Sequence, residues 1–314
     1  MPRLLAGVVL LGASAYLTRR KTRQAVEKNP PQGRFVVADG IRLHYTEHGD
    51  PTRPPVVLVH GNGAMAREME LSGLVERLTP GFRVIVFDRP GYGHSERPNG
   101  RDYDPQAQAQ LLLRALDALG ISHPTVLGHS WGAMVAMAMA RARPERIRAV
   151  VLVSGYYTPS LRLDAPLLGA PALPAIGTLM RHTVSPLIGR LLWPLMVRRI
   201  FAPDRVTERF QREYPVWMSL RPSQLLASAA EAGMMPLQAV TLKRREEELS
   251  VPTLIVAGES DWLVMTRWQS QRLHRRMPSS RLRLVPGAGH MVHHTAPEEV
   301  AAAVHEAWRM GGPA

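Results

Sequence analysis

The chain has 314 residues, 45% of them hydrophobic and 21% charged, the balance of a folded enzyme-sized α/β domain and not of a disordered chain or a multi-span membrane protein. It contains no cysteine, which excludes disulfides, thiolate metal sites, iron–sulfur clusters and a cysteine nucleophile. The formal net charge is +13, but the only lysines are Lys21, Lys28 and Lys243, and the arginines are scattered without interleaved aromatics, so the excess does not describe a nucleic-acid-binding stripe.

Leu4 to Leu17 carries no charge and is shorter than the roughly 20 residues that span a bilayer comfortably. Arg19, Arg20, Lys21 and Arg23 follow it. Positive charge behind an apolar run favours a retained anchor that associates with an inner membrane and leaves the main domain cytoplasmic. Two other readings stay open: a signal peptide cleaved near Ala13-Ser14-Ala15, giving a secreted or periplasmic protein, and a helix packed on a cytoplasmic one. Glu27 to Gly33, with Asn29-Pro30-Pro31, reads as a linker, so residues 1–33 form the first unit.

From Arg34 onwards short apolar runs alternate with helical stretches, the pattern of a mostly parallel sheet flanked by helices. Phe35–Ala38 and Ile41–Tyr45 flank Asp39-Gly40, a pair suited to a tight hairpin turn. Buried strands are predicted at Pro55–Val59, Val84–Phe87, Thr125–Leu127, Ala149–Val153, Thr253–Ala257 and Leu282–Val285. Residues 155–245 break this rhythm: prolines, among them Pro186, Pro194 and Pro236, are expected to divide the segment into short apolar helices that form a lid over a ligand pocket, or else simply pack. Residues 34–154 and 246–314 then make the core. Trp193, Trp217, Trp262 and Met134, with Met234 and Met235, are the candidates for an apolar pocket lining.

Gly128-His129-Ser130-Trp131-Gly132 lies between the strand ending at Leu127 and a helical Ala/Met run. Glycines on either side of a serine at a strand-to-helix junction let the chain turn sharply enough to expose a strained nucleophile. A serine hydroxyl needs a base, and the base needs a group to fix its tautomer. Asp261 follows one late strand and His290 the next, at the strand C-termini where open sheets collect their functional groups. Glu259 is the alternative acid. His293 and His294 are competing bases, and His129 is expected to pack or tune; with no carboxylate or thiolate at ligand-like spacing, no metal or cofactor is expected. His60-Gly61-Asn62-Gly63 after the strand Pro55–Val59 supplies an amide for an oxyanion, so the backbone N–H groups of Asn62 and Trp131 are the expected pair.

The order Ser130, Asp261, His290 and the segment Phe87-Asp88-Arg89-Pro90-Gly91-Tyr92-Gly93-His94-Ser95 resemble the α/β-hydrolase fold superfamily over Arg34 to Met310. The resemblance implies the serine-nucleophile branch, because haloalkane dehalogenases and epoxide hydrolases of that superfamily use an aspartate at this position. It implies a carboxylesterase or lipase-like enzyme acting on a small-molecule ester with an apolar moiety through an acyl-enzyme. Meta-cleavage carbon–carbon hydrolases share the serine and the H-G-x-G turn but continue with Pro-Gly, where this chain has Ala64-Met65. Carbon–carbon hydrolysis, cofactor-free perhydrolase or haloperoxidase chemistry, and non-catalytic binding of a hydrophobic ligand as an accessory protein remain the alternatives.

Overall fold

The computed structural model of the protein describes residues 2–160, 165–243 and 249–312. Helix α1 (Pro2–Lys28) leads into β1 (Arg34–Ala38) and β2 (Ile41–His48), joined through Asp39 and Gly40 at φ 50° and 75°. Both residues are left-handed, as a two-residue hairpin turn demands. There follow β3 (Pro55–Val59), α2 (Ala66–Leu71), α3 (Leu74–Leu78), β4 (Arg83–Phe87), α4 (Pro105–Ala118), β5 (Thr125–His129), α5 (Trp131–Ala142) and β6 (Ala149–Val153). After an insertion come β7 (Thr253–Gly258), α12 (Ser270–Arg276), β8 (Arg281–Val285), α13 (Val292–Thr295) and α14 (Pro297–Met310). The insertion contains α6 (Ala165–Gly169), α7 (Ile176–His182), α8 (Val184–Phe201), α9 (Glu208–Glu213), α10 (Val216–Ser219) and α11 (Pro222–Lys243).

The strands form one eight-stranded sheet in the order β1-β2-β4-β3-β5-β6-β7-β8. β2 runs antiparallel to β1 and β4, and the pairs from β4 through β8 are parallel. Alternation sends Val57, Val59, Val126 and Leu152 to a core shared with α4 and α5, and Val56, Leu58, Leu127 and Val151 to a second core with α3 and α14. Covering on both faces is why these strands are continuously apolar. Edge strand β8 instead alternates Arg281 and Arg283 with leucines, and its arginines pair with Glu306 and Glu299 of α14, which blunts the open edge.

Three expectations change. Pro194 and Pro236 lie inside α8 and α11, which are 18 and 22 residues long, so these prolines do not end helices. Each removes only one backbone donor, and packing against neighbouring elements sustains the helix around it. Pro186 sits in the first turn of α8, where its missing N–H costs nothing. At the N-terminus one helix runs from Pro2 through the basic cluster to Lys28, so Glu27 and Lys28 are helical and not linker. Among the described residues no helix is long and apolar enough to cross a membrane.

Helix α4 shows how local signals set boundaries: the Asp104 carboxylate accepts a 2.8 Å hydrogen bond from the Ala107 amide, and Pro105 opens the first turn. Asp104→Ala is expected to lower the unfolding free energy by about 1 kcal/mol, read from the urea midpoint at pH 7.

Candidate active site

Ser130 sits where β5 turns into α5, at φ 54° and ψ −117°, a conformation that costs a non-glycine residue about 1–3 kcal/mol. Its neighbours show what enforces it. A Cβ on Gly128 would stand 2.1 Å from the Gly132 carbonyl oxygen, and one on Gly132 would stand 2.1 Å from that of Val59. Only glycine lets the turn close this tightly against β3. The Ser130 amide donates to the Val153 carbonyl at 2.9 Å, fixing the turn to β6, and the serine itself is half-buried.

The loops after β7 and β8 meet beside this turn, because Gly258 packs on the backbone of Ala288 and Gly289 with no room for a side chain. His290 Nδ1 lies 2.8 Å from Asp261 Oδ2. Asp261 Oδ1 accepts from the amides of Leu263 and Val264 at 2.9 and 3.2 Å, so the buried carboxylate presents its other oxygen to the ring. Glu259, the alternative acid, is exposed. His129 Nε2 donates to the His290 carbonyl at 3.1 Å, which ties the residue before Ser130 to the histidine loop. Among the described residues no hydrogen bond joins Ser130 Oγ to His290.

His60-Gly61-Asn62-Gly63 lies against the turn, since a Cβ on Gly61 would be 3.1 Å from Ser130 Cβ. Arg89, fully buried, donates from Nε to the His60 carbonyl and from Nη2 to the Gly61 carbonyl, both at 2.8 Å. A trans peptide points its C=O and N–H in opposite directions. Holding the Gly61 carbonyl toward Arg89 therefore turns the Asn62 amide away from it. The Trp131 amide belongs to the first turn of α5, where it has no carbonyl partner within the helix.

Arg89 is itself held by Glu231 of α11, which takes both terminal guanidinium nitrogens. Glu231 also accepts from Tyr92 Oη at 2.7 Å and from Gln108 Nε2 at 2.9 Å. The Asn62 side chain bonds to Ser228 one turn earlier in α11, at 2.9 Å to its carbonyl and 2.5 Å from its hydroxyl, so it is tethered to the insertion. Glu231 was not among the sequence candidates. Its one local signal is that it is the sole carboxylate in α11.

A second buried cluster lies behind His129. His293 Nε2 and His294 Nε2 stand 2.6 and 2.7 Å from Glu68 Oε1. The sequence reading that these histidines lack a carboxylate is thereby corrected: the partner comes from α2, far away in the chain. The three ligand atoms lie within 4.8 Å of one another, a donor set that a divalent cation could use. At these separations the contacts are hydrogen bonds that each Nε2–H donates to the carboxylate. Burial pushes the Glu68 carboxyl up, but His293 and His294 outweigh it and hold it well below the usual range.

The proposed pocket residues do not converge. Met134 is fully buried in the core beneath the sheet, Trp193 stacks on Tyr214 at 5.4 Å and joins Trp217 in a cluster within the insertion, and Trp262 is exposed under Arg199. Met234 and Met235 pack on the main core. A cavity of about 150 Å³ opens elsewhere, lined by His44, Glu70, Asp88 and His94 and by none of Ser130, Asp261 or His290.

Residues 54–297 match the family model for the alpha/beta hydrolase fold. The chain belongs to this family. Within it, Haloalkane dehalogenase 2 of Mycobacterium tuberculosis (strain ATCC 25618 / H37Rv) is 28% identical over 297 residues, covering 88% of this chain and 95% of its own. The 2-hydroxymuconate semialdehyde hydrolase of Pseudomonas sp. (strain CF600) is 27% identical over 249 residues, covering 76% and 85%. The solved structure of a thermophilic esterase from Thermogutta terrifontis superposes with a TM-score of 0.69 at 25% identity, covering 90% of this chain and 100% of that one.

Two outcomes test this account of the site. Glu231→Gln leaves the Arg89 charge buried without its counter-ion and is expected to cost about 3–5 kcal/mol in urea unfolding, whereas Asp117→Asn at the exposed Arg143 and Arg146 pairs should cost less than about 1 kcal/mol. Burial and then the Arg89 charge lower His60 from its ordinary 6.5 to about 3, and burial also lowers His129 and His294. Below pH 6.5 the unfolded chain takes up protons that the folded protein refuses, so stability falls as the pH drops toward 3. His60 by itself should remove about 2–3 kcal/mol between pH 7 and 4.5, measured by urea unfolding at the two values.

Proposed function

We propose that this chain is a serine hydrolase that cleaves a carboxylic ester with an apolar moiety. The observation that carries the reading is the strained Ser130 together with an imidazole whose Nδ1 is bonded to buried Asp261 at 2.8 Å, in a loop tied at 3.1 Å to His129, the residue before the serine. With Nδ1 committed as donor to the carboxylate, Nε2 is the free lone pair that accepts the Ser130 proton as the hydroxyl attacks the carbonyl carbon. Asp261 then stabilises the imidazolium. The amides of Asn62 and Trp131 receive the developing oxyanion, and Arg89 contributes by holding the Gly61 peptide in the required orientation. Collapse expels the alcohol, protonated by His290. Water, deprotonated by the same ring, releases the acid and returns Ser130.

The insertion serves in this reading as a lid. Its helix α11 is bonded to the oxyanion turn through Asn62 and Ser228 and through Arg89 and Glu231, so it stands next to the reacting centre. Resemblance to an esterase supports the reaction class. The dehalogenase relative is set aside for this chain because Ser130 occupies the place where such enzymes carry an aspartate. The semialdehyde hydrolase relative favours a second reading, carbon–carbon bond hydrolysis, on the same residues.

The test is the initial rate on p-nitrophenyl esters of increasing acyl length. Ser130→Ala is expected to lower kcat by at least about 1,000-fold, and Asp261→Asn by a comparable factor through the wrong tautomer. A rate that survives Ser130→Ala would overturn the proposal. Ser130-dependent cleavage of 2-hydroxymuconate semialdehyde with no ester turnover would move it to the second reading.

A further inference from the structure

Helix α1 behaves differently along its length. Its second half packs on the insertion: Ser14, Thr18 and Ala25 are buried, and Thr18 Oγ1 donates to the Thr183 carbonyl, 3.1 Å away, at the corner between α7 and α8. Val8 to Ala13 ahead of it are all exposed. Val8, Val9 and Leu10 are 67%, 62% and 70% exposed, and because successive residues point about 100° apart, the helix is bare on all sides there. An apolar rod protrudes from the corner that α7 and α8 make.

Those two helices present a matching surface. On α8, Val184, Ile188, Leu191 and Leu195 follow one another at helical spacing and face outward, Leu191 at 79% and Leu195 at 65% exposure. Ile176 and Leu179 continue the apolar surface on α7, which packs against both α1 and α8. Helix α8 is thus apolar on its outer as well as its inner face, a distribution that water does not stabilise. Charge identifies what covers it. No carboxylate occurs from Ala165 to Pro203 or from Pro2 to Val26, and the ionisable groups in both stretches are basic or histidine, save Tyr16. Exposed Arg19, Arg20 and Lys21 ring the rod directly behind its bare turns.

We infer that the first turns of α1 and the outer face of α7 and α8 form one docking surface for an anionic lipid bilayer. The bare turns from Leu5 to Ala13 rise about 13 Å at 1.5 Å per residue, close to one leaflet, half of the roughly 30 Å hydrocarbon core. The helix end enters that leaflet without crossing the membrane, Arg19, Arg20 and Lys21 lie at headgroup depth, and the leucines of α8 sink into the interface. A second copy of the chain is a poor occupant, because pairing this face with itself would oppose two carboxylate-free basic surfaces. The inference is independent of which bond Ser130 cleaves.

The test uses the full chain in co-sedimentation with vesicles of phosphatidylcholine alone and of an equimolar mixture with phosphatidylglycerol. Binding to the anionic vesicles that weakens with salt is the expected result. Val8→Glu with Val9→Glu, Leu191→Glu with Leu195→Glu, and Arg19→Glu with Arg20→Glu should each lower the partition coefficient at least about tenfold. All six side chains are exposed, so the thermal midpoint should stay at the parent value and separates lost docking from lost folding. Ser130→Ala should bind as the parent does, which separates this result from failure of the ester reading. Equal binding to neutral vesicles, no binding to either, or variants that bind like the parent would overturn the proposal. So would a lipid-free dimer that the leucine variants dissociate while vesicle binding persists, since the occupant would then be a second copy.

Discussion

The buried pair between Arg89 and Glu231 is the constraint on which the site depends. Two opposite charges without solvent contact are costly to bury, and their attraction compensates only when each remaining donor and acceptor is satisfied. Here Arg89 also donates to the carbonyls of His60 and Gly61 and to Gln108 Oε1, and Glu231 completes its set with Tyr92 and Gln108. Four regions far apart in sequence are therefore held in one geometry: the turn after β3, the loop after β4, helix α4 and helix α11. An apolar substitute could fill the volume but could not orient a peptide plane. The pair's contribution is the direction in which the Asn62 amide points.

The same logic, applied to backbone and not to charge, governs the serine turn. Ser130 occupies an unfavourable conformation because Gly128 and Gly132 permit contacts that any side chain would forbid, and because its amide is bonded across to β6. The strain persists since the surrounding sheet over-determines it. His129 extends this rigidity to the histidine loop, and the Glu68 cluster packs behind His129, where His129 and His293 rings approach to 4.1 Å. Burial lowers His129 and His294 from the ordinary imidazole range, which makes the arrangement acid-sensitive.

Outside the core the chain reverses the usual rule. Strong apolar exposure and a carboxylate-free basic surface occur together on the first turns of α1 and on α7 and α8, while Glu68, Glu231 and Glu306 are engaged in buried or edge pairings. The +13 excess is in this sense a distribution as much as a total.

Much of the fold was legible in the sequence because its signals are local. Apolar runs bounded by turn residues located all eight strands to within a few residues, Asp39-Gly40 gave the hairpin, and the glycines around Ser130 marked a turn that only they can make. Asp261 and His290 stand behind two late strands and meet each other at 2.8 Å, because parallel strands gather their C-terminal ends at one edge. The proline-based boundaries failed where packing overrode propensity, at Pro194 and Pro236. The pocket lining was not legible, since a Trp or Met at helical spacing reads the same whether it faces a cleft, the core or solvent, and Met134, Trp193 and Trp262 divide among such surroundings. Glu231 and Glu68 could not be assigned either: their partners lie 142 and 225 residues away in the chain. What the sequence determined by itself is the set of elements and the residues able to do chemistry. Which carboxylate meets which cation, and which apolar face is left open to its surroundings, was decided by the tertiary structure, because pairing and exposure belong to neighbours in space and not to neighbours along the chain.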